Sequence, residues 1–261
     1  MLSIPFQTIV PFIASSVVVI IITVIAEKFG TKTGGILGTL PTTIIIAYIF
    51  IALNKGVDFA SDSISVVPAE IGINIIFIFV TVILIRRSIY LAFTASFTFW
   101  TISSFLLWYT NLENVYISIP IFFVSMIGTF IILERIKKIK SISKKIVHYT
   151  IKKITFRGIL AGTVITITVL LSNVGAVLSG IFSVFPAIIT STMIICYYEH
   201  GPDFASGMAK SMIFGSTSVM SYAVTIHFTY PEYGIILGSI IAFIIAVIIA
   251  LINLKLRPKI S

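Results

Sequence analysis

Apolar runs of about twenty residues alternate with short polar or basic breaks along almost the whole of this 261-residue chain. A helix needs roughly 20 mostly apolar residues to cross the hydrocarbon of a bilayer. The pattern predicts nine spans: Thr8–Ala26, Gly34–Leu53, Ile64–Ile85, Ser88–Tyr109, Val115–Leu133, Gly158–Leu171, Gly175–Tyr198, Ser211–Tyr230 and Gly234–Leu254. The sixth is short and is expected to begin near Ile154, and the weakest break is Ser172–Val174. The expected fold class is an all-α integral membrane protein.

Charge orients the spans. With the N-terminus outside and the C-terminus in the cytoplasm, 17 of the 18 Lys and Arg fall on the inner side, and only Lys55 falls outside. Basic residues favour cytoplasmic loops, so this segregation supports the span count. Trp108, Tyr109, Tyr116, Tyr230 and Tyr233 are placed as anchors at the outer interface, and Tyr90, Tyr197 and Tyr198 at the inner one. The expected location is the cell membrane, as a multi-pass protein.

An internal repeat organises the spans. Gly56–Ser61 reads GVDFAS and Gly201–Ser206 reads GPDFAS, 145 residues apart. The same offset aligns Gly30 with Gly175, Gly35 with Gly180, Pro41 with Pro186, and Val19, Ile20, Ile22, Thr23 and Val24 with identical residues downstream. Spans 1–4 (8–109) therefore map onto spans 6–9 (158–254), and span 5 (115–133) has no counterpart. An odd linker helix inserts the second four-helix unit upside down relative to the first. Inverted repeats are the common plan of secondary transporters, with the site where the units meet.

Spans 2 and 7 carry the matching interruptions. Span 2 has Gly34, Gly35 and Gly38 before Pro41, and span 7 has Gly180 before Pro186. Proline removes a backbone donor and glycine permits unwinding. Paired interrupted segments at corresponding positions point to a transport site. Thr42, Thr43, Thr190, Ser191 and Thr192 supply hydroxyls next to them. The plainer reading is two kinked, closely packed helices.

Glu70 is the one acidic residue clearly within a span, with Asn74 one turn on. An intramembrane carboxylate is costly and marks a functional position by default. It suits a cation or proton, although a paired residue near the outer mouth is the simpler reading. Asp58 and Asp203, each after a glycine turn, are expected to cap spans 3 and 8, and the alternative is a gate or ion ligand at each mouth, with Ser61 and Ser206 beside them. His227 is expected at an interface, because no second His or Cys is spaced to complete a metal site. The segment Arg135–Arg157, within a basic loop spanning 134–157, alternates isoleucines with lysines and reads as an amphipathic helix on an anionic inner leaflet.

Composition narrows the function. The chain is 58% hydrophobic and 10% charged, with a mean hydropathy of +1.14, far from a soluble domain. The net charge of +9 is explained by topology, which removes nucleic acid as a partner. Cys196 is the only cysteine, so no internal disulfide forms. The N-terminus lacks a basic start, and its apolar run is long enough to span, unlike a signal peptide. HExxH, GxSxG and GxxxxGK[ST] are absent, which argues against an enzyme or an ATP-driven pump. The expected function is secondary active transport of a small solute or ion by alternating access. It needs no cofactor beyond a coupling ion such as H+ or Na+, and no metal. A channel and a lipid-acting membrane protein are the alternatives. With no Arg placed mid-span, the expected solute is neutral, weakly charged or a monovalent cation.

Overall fold

The computed structural model describes residues 3–28, 40–136 and 150–256. Gly34, Gly35 and Gly38, and residues 137–149 of the basic segment, lie outside the described residues. Within them every regular element is helical: α1 Ile4–Lys28, α2 Thr42–Lys55, α3 Val57–Ile64, α4 Val67–Leu84, α5 Ile89–Tyr109, α6 Val115–Ile131 running into a π-turn at Ile132–Ile136, α7 Ile151–Leu171, α8 Ala176–Ser183, α9 Ala187–His200 and α10 Pro202–Leu256. Apolar runs without competing polar partners fold this way because a helix satisfies its backbone internally. Among the described residues seven helices are long and apolar enough to cross a membrane. On α1, Ile9, Ile13, Val17 and Ile21 form an exposed stripe at every fourth residue, suited to lipid.

The longest of the seven covers 52 residues. At 1.5 Å per residue it would extend about 78 Å, well over twice the hydrocarbon thickness. It instead folds back at Gly234, whose φ of 71° and ψ of −174° are not helical. The two limbs run antiparallel. Tyr230 Oη pairs with Ser239 Oγ at 2.8 Å, Ser218 Oγ donates to the Ala246 carbonyl at 2.8 Å, and Asn253 Nδ2 donates to Thr217 Oγ1 at 2.6 Å.

Helices α1 and α7 also pack antiparallel. Thr166 Oγ1 donates to the Thr8 carbonyl at 3.2 Å, Ser16 Oγ to the Gly158 carbonyl at 2.9 Å, and Asn173 Nδ2 to Gln7 Oε1 at 2.8 Å. Gly158 and Gly162, one turn apart on α7, let the backbones approach: a Cβ at Gly162 would lie 2.3 Å from Ser16 Oγ.

The two proline breaks have the same geometry. Pro41 precedes α2 with φ −76° and ψ 46°, and Pro186 precedes α9 with φ −74° and ψ 35°. Each helix has 14 residues and ends at a glycine with positive φ, Gly56 at 95° and Gly201 at 85°. These φ/ψ pairs lie in a region that is essentially reserved for glycine. Gly201→Ala is therefore expected to destabilise the protein by about 1–3 kcal/mol, measured by thermal unfolding.

The two C-terminal ends lie far apart. Asn54, near the end of α2, donates to Ser172 Oγ at 3.2 Å, just past the end of α7. Glu199, near the end of α9, pairs with Lys153 in the first turn of α7. Those contacts are separated by the length of α7, about 30 Å at 1.5 Å per residue.

Three sequence expectations are corrected. Asp58 and Asp203 are not caps: Gly56 holds the cap position of α3, and both aspartates sit in the first turn of their helices, where they meet the helix dipole instead. Helix α7 begins at Ile151, so Arg157 lies inside it rather than in the preceding loop. Helix α10 begins at Pro202, which places Lys210 within it, 3% exposed and paired with Glu134. The repeated Ala60 and Ala205 are fully buried, which explains why a whole helix start is preserved and not the aspartate alone.

Candidate functional site

The starts of α2 and α9 meet at a cavity of about 150 Å³. Leu40 to Ile44 line it from the first break, and Val184, Phe185, Ile188 and Ile189 line it from the second. Asn74 from α4, Thr23 from α1, Ser216 from α10 and Arg157 from α7 complete the polar part of the lining. Of the residues expected from sequence, Pro41, Thr42, Thr43 and Asn74 line the cavity. Pro186 sits at the N-cap of α9, between lining residues on either side.

Aromatic packing holds the second break. Phe185 stacks on Phe97 at 6.0 Å between ring centres and meets Trp100 edge-on at 5.0 Å. Neither break has a side-chain cap. In each, the first helical N–H turns back to the carbonyl just before the proline: Thr42 to Leu40 at 2.8 Å, and Ala187 to Phe185 at 2.7 Å. Intrahelical bonding begins at Ile45 and Thr190. Helix geometry therefore leaves the N–H groups of Thr43, Ile44, Ile188 and Ile189 without an intrahelical acceptor. All four residues line the cavity. Two helix dipoles thus have their positive ends at one cavity.

Arg157 adds a full charge. It is 7% exposed, and its Nη1 donates to Thr192 Oγ1 at 3.0 Å. No carboxylate lines the cavity among the described residues. Among the described lining residues the charged side chain is a cation, Arg157, which lies near the start of α7. Asn74 Nδ2 donates to the Val184 carbonyl at 2.7 Å, which fixes the amide and leaves Oδ1 buried with no hydrogen-bond partner. Such an acceptor costs roughly 1–3 kcal/mol unless something donates to it.

The other expected positions lie elsewhere. Glu70 is fully buried and turned toward α5, where Ser104 Oγ donates to its carboxylate at 2.9 Å. Glu70→Gln keeps an oxygen for Ser104 and is expected to stay within about 1 kcal/mol of the parent, whereas Glu70→Ala also opens a void and is expected to cost about 2–4 kcal/mol in thermal unfolding. Gly180 is a packing glycine: a Cβ there would stand 2.1 Å from the Ser63 carbonyl on α3. Thr190 and Ser191 lie within α9 beyond the cavity wall, and Ser191 Oγ donates to the Ile188 carbonyl at 3.2 Å. Ser61 is bonded to His227, donating to its carbonyl at 2.7 Å and accepting its ring Nδ1 at the backbone carbonyl at 2.8 Å. Ser206 Oγ donates to the Pro202 carbonyl at 2.8 Å. Asp58 is exposed, and Asp203 forms an exposed ion pair with Arg86 at 2.7 Å.

Sequence reasoning missed Arg157, Thr23 and Ser216. A signal for Arg157 was present: Gly158–Leu171 is only 14 residues, and the expected start near Ile154 already takes the arginine into the span.

Residues 8–113 match a protein family described as a protein of unknown function, DUF3147. The matched segment begins in α1 and ends just after α5. No curated protein and no solved structure matches the chain.

Proposed function

We propose that this chain is a multi-pass membrane transporter that moves a small solute by alternating access between two inverted repeats. The observation that carries the reading is the pair of proline-broken helices, α2 and α9, whose starts line one cavity and which end about 30 Å apart at opposite ends of α7. Non-helical backbone at membrane depth is tolerated where it lines a cavity, and paired broken helices are the usual seat of a transport site. The antiparallel packing of α1 on α7, helices related by the 145-residue offset, supports opposite orientation of the two units. The family match to 8–113 covers nearly the same residues as the first repeat, which supports that unit as a building block.

Counting the limbs of α10 separately, and adding the shorter apolar helix α2, is compatible with nine crossings. The charge pattern then puts the N-terminus outside the cell membrane and the basic segment on an anionic inner leaflet. Exchange of conformation between the halves opens the cavity to each side in turn, driven by a gradient of the solute or of a coupling ion, H+ or Na+. The test is solute uptake into proteoliposomes of the purified chain. Saturable uptake below about 10³ per second is expected, in keeping with microsecond-to-millisecond domain motion. Non-saturating flux orders of magnitude faster would replace the transporter with a pore.

A further inference from the structure

We propose that the short helix α3 is the gate that closes the cavity toward the face the charge pattern assigns to the outside, an inference that deepens the alternating-access reading and rests on it for the cavity's role. Position comes first. Helix α8 follows Gly175, whose N–H donates to the Leu171 carbonyl at the end of α7, and runs to Val184, which lines the cavity. Helix α3 follows Gly56, where α2 ends, and leads into α4, whose Ile71 lines the cavity. The seam where α3 meets α8 therefore lies between the cavity and that outer face. Its two sides come from different repeats, so opening the cavity outward parts them.

The seam is closed by direct contacts. Ser63 Oγ and Ser179 Oγ share a hydrogen bond at 2.9 Å, and Tyr48 Oη reaches Ser63 Oγ at 3.3 Å; all three residues are fully buried. A Cβ at Gly180 would stand 2.1 Å from the Ser63 carbonyl and 2.6 Å from Val66, so the backbones touch. A second tie joins α3 to α10. Ser61 Oγ donates to the His227 carbonyl, and the His227 ring bonds to the Ser61 carbonyl. Asp58 and Asp62 are exposed, whereas Ala60, Ser61, Ser63 and Ile64 are buried.

Local structure lets α3 move as a unit. It has eight residues and is bounded by Gly56, with φ of 95°, and by an interruption between Ile64 and Val67. Pro68 has no N–H to give the Ile64 carbonyl, which explains the interruption. Hinged closure uses a few such positions at element ends. The second copy of the motif differs here. The 145-residue offset maps Pro68 onto Ile213, and the helix from Pro202 runs on through that position unbroken. The preserved DFAS sequence is thus a separate helix in one copy and the start of a long one in the other, which assigns the gate to α3.

The experiment follows a Thr43→Cys variant of the full chain, in a Cys196→Ala background, labelled by a membrane-impermeant maleimide in right-side-out and in inside-out vesicles. Adding Gly180→Ala wedges the seam, and is expected to raise the outside rate at least tenfold without raising the inside rate. Ser179→Ala removes the hydrogen bond without adding volume, and is expected to raise the outside rate about 2- to 10-fold. It decides the matter if Gly180→Ala fails to fold. Gly128→Ala, where a Cβ meets nothing within 4 Å, is expected to change neither rate. The inference is overturned if a folded Gly180→Ala leaves the outside rate unchanged, if Ser179→Ala does so where Gly180→Ala does not fold, or if the inside rate rises as much as the outside one. Failure of the transport reading is distinguishable. Labelling from both sides that neither variant alters keeps alternating access and removes the gate. A rise from the outside, with no labelling from the inside in any variant, keeps the gate and removes alternating access.

Discussion

Gly162→Leu is expected to cost more than about 3 kcal/mol and to leave little monodisperse protein in detergent. A Cβ at this position would stand 2.3 Å from Ser16 Oγ, 2.8 Å from the Phe12 carbonyl and 2.9 Å from the Phe12 ring. The serine hydroxyl is the end of a side chain, but the Phe12 carbonyl is backbone and moves only with α1. The seam between α1 and α7 is also the most extensive helix contact among the described elements. In a bilayer, lipid competes equally for apolar side chains, so this contact depends on close backbone approach between small residues. Gly128 on α6 provides the control, because a Cβ there meets nothing within 4 Å. Gly128→Ala is expected to be neutral or to stabilise by up to about 1 kcal/mol through helix propensity. Thermal unfolding of both variants, with size-exclusion profiles, checks the pair.

Arg157→Met is expected to lower solute affinity about 10- to 100-fold while the protein still folds. A hydrogen bond to a charged group contributes about 1.5–3 kcal/mol, which corresponds to that range. Methionine fills much of the same volume, and replacing a buried charge by a well-packed apolar side chain is often near neutral for stability. Loss of binding with retained unfolding temperature identifies Arg157 as a solute ligand. Loss of both identifies it as a structural group held by Thr192.

The apolar spacing of the chain located the helices well, because twenty-residue runs admit few other structures in lipid. Helix α5 starts one residue from its expected bound, and α6 starts where expected. The 145-residue offset also marked both breaks, and Pro41 and Pro186 carry nearly the same backbone angles. What escaped was the depth of charged residues. Arg157 and Lys210 were assigned to the inner face by their charge, yet each is buried within a helix, against Thr192 and Glu134 respectively. A partner from another helix makes such burial tolerable, and partners distant in the chain are invisible to a window of hydropathy. Glu70 shows the converse. Its place in a span was legible, but its direction, toward Ser104 on α5 and away from the cavity, depends on how α4 and α5 pack. The aspartates of the repeated motif were likewise read as caps from their position after a glycine, although the glycines themselves hold the helix starts.

The most direct test of the central claim is the accessibility of the cavity from each side of the membrane. A single cysteine at Thr43, in a Cys196→Ala background, is treated with a membrane-impermeant maleimide in right-side-out and in inside-out vesicles. Alternating access predicts labelling in both preparations, with either rate reduced when a saturating solute or a cross-link between the halves holds the protein open to the opposite side. Labelling from one side only, under every condition, would contradict the account.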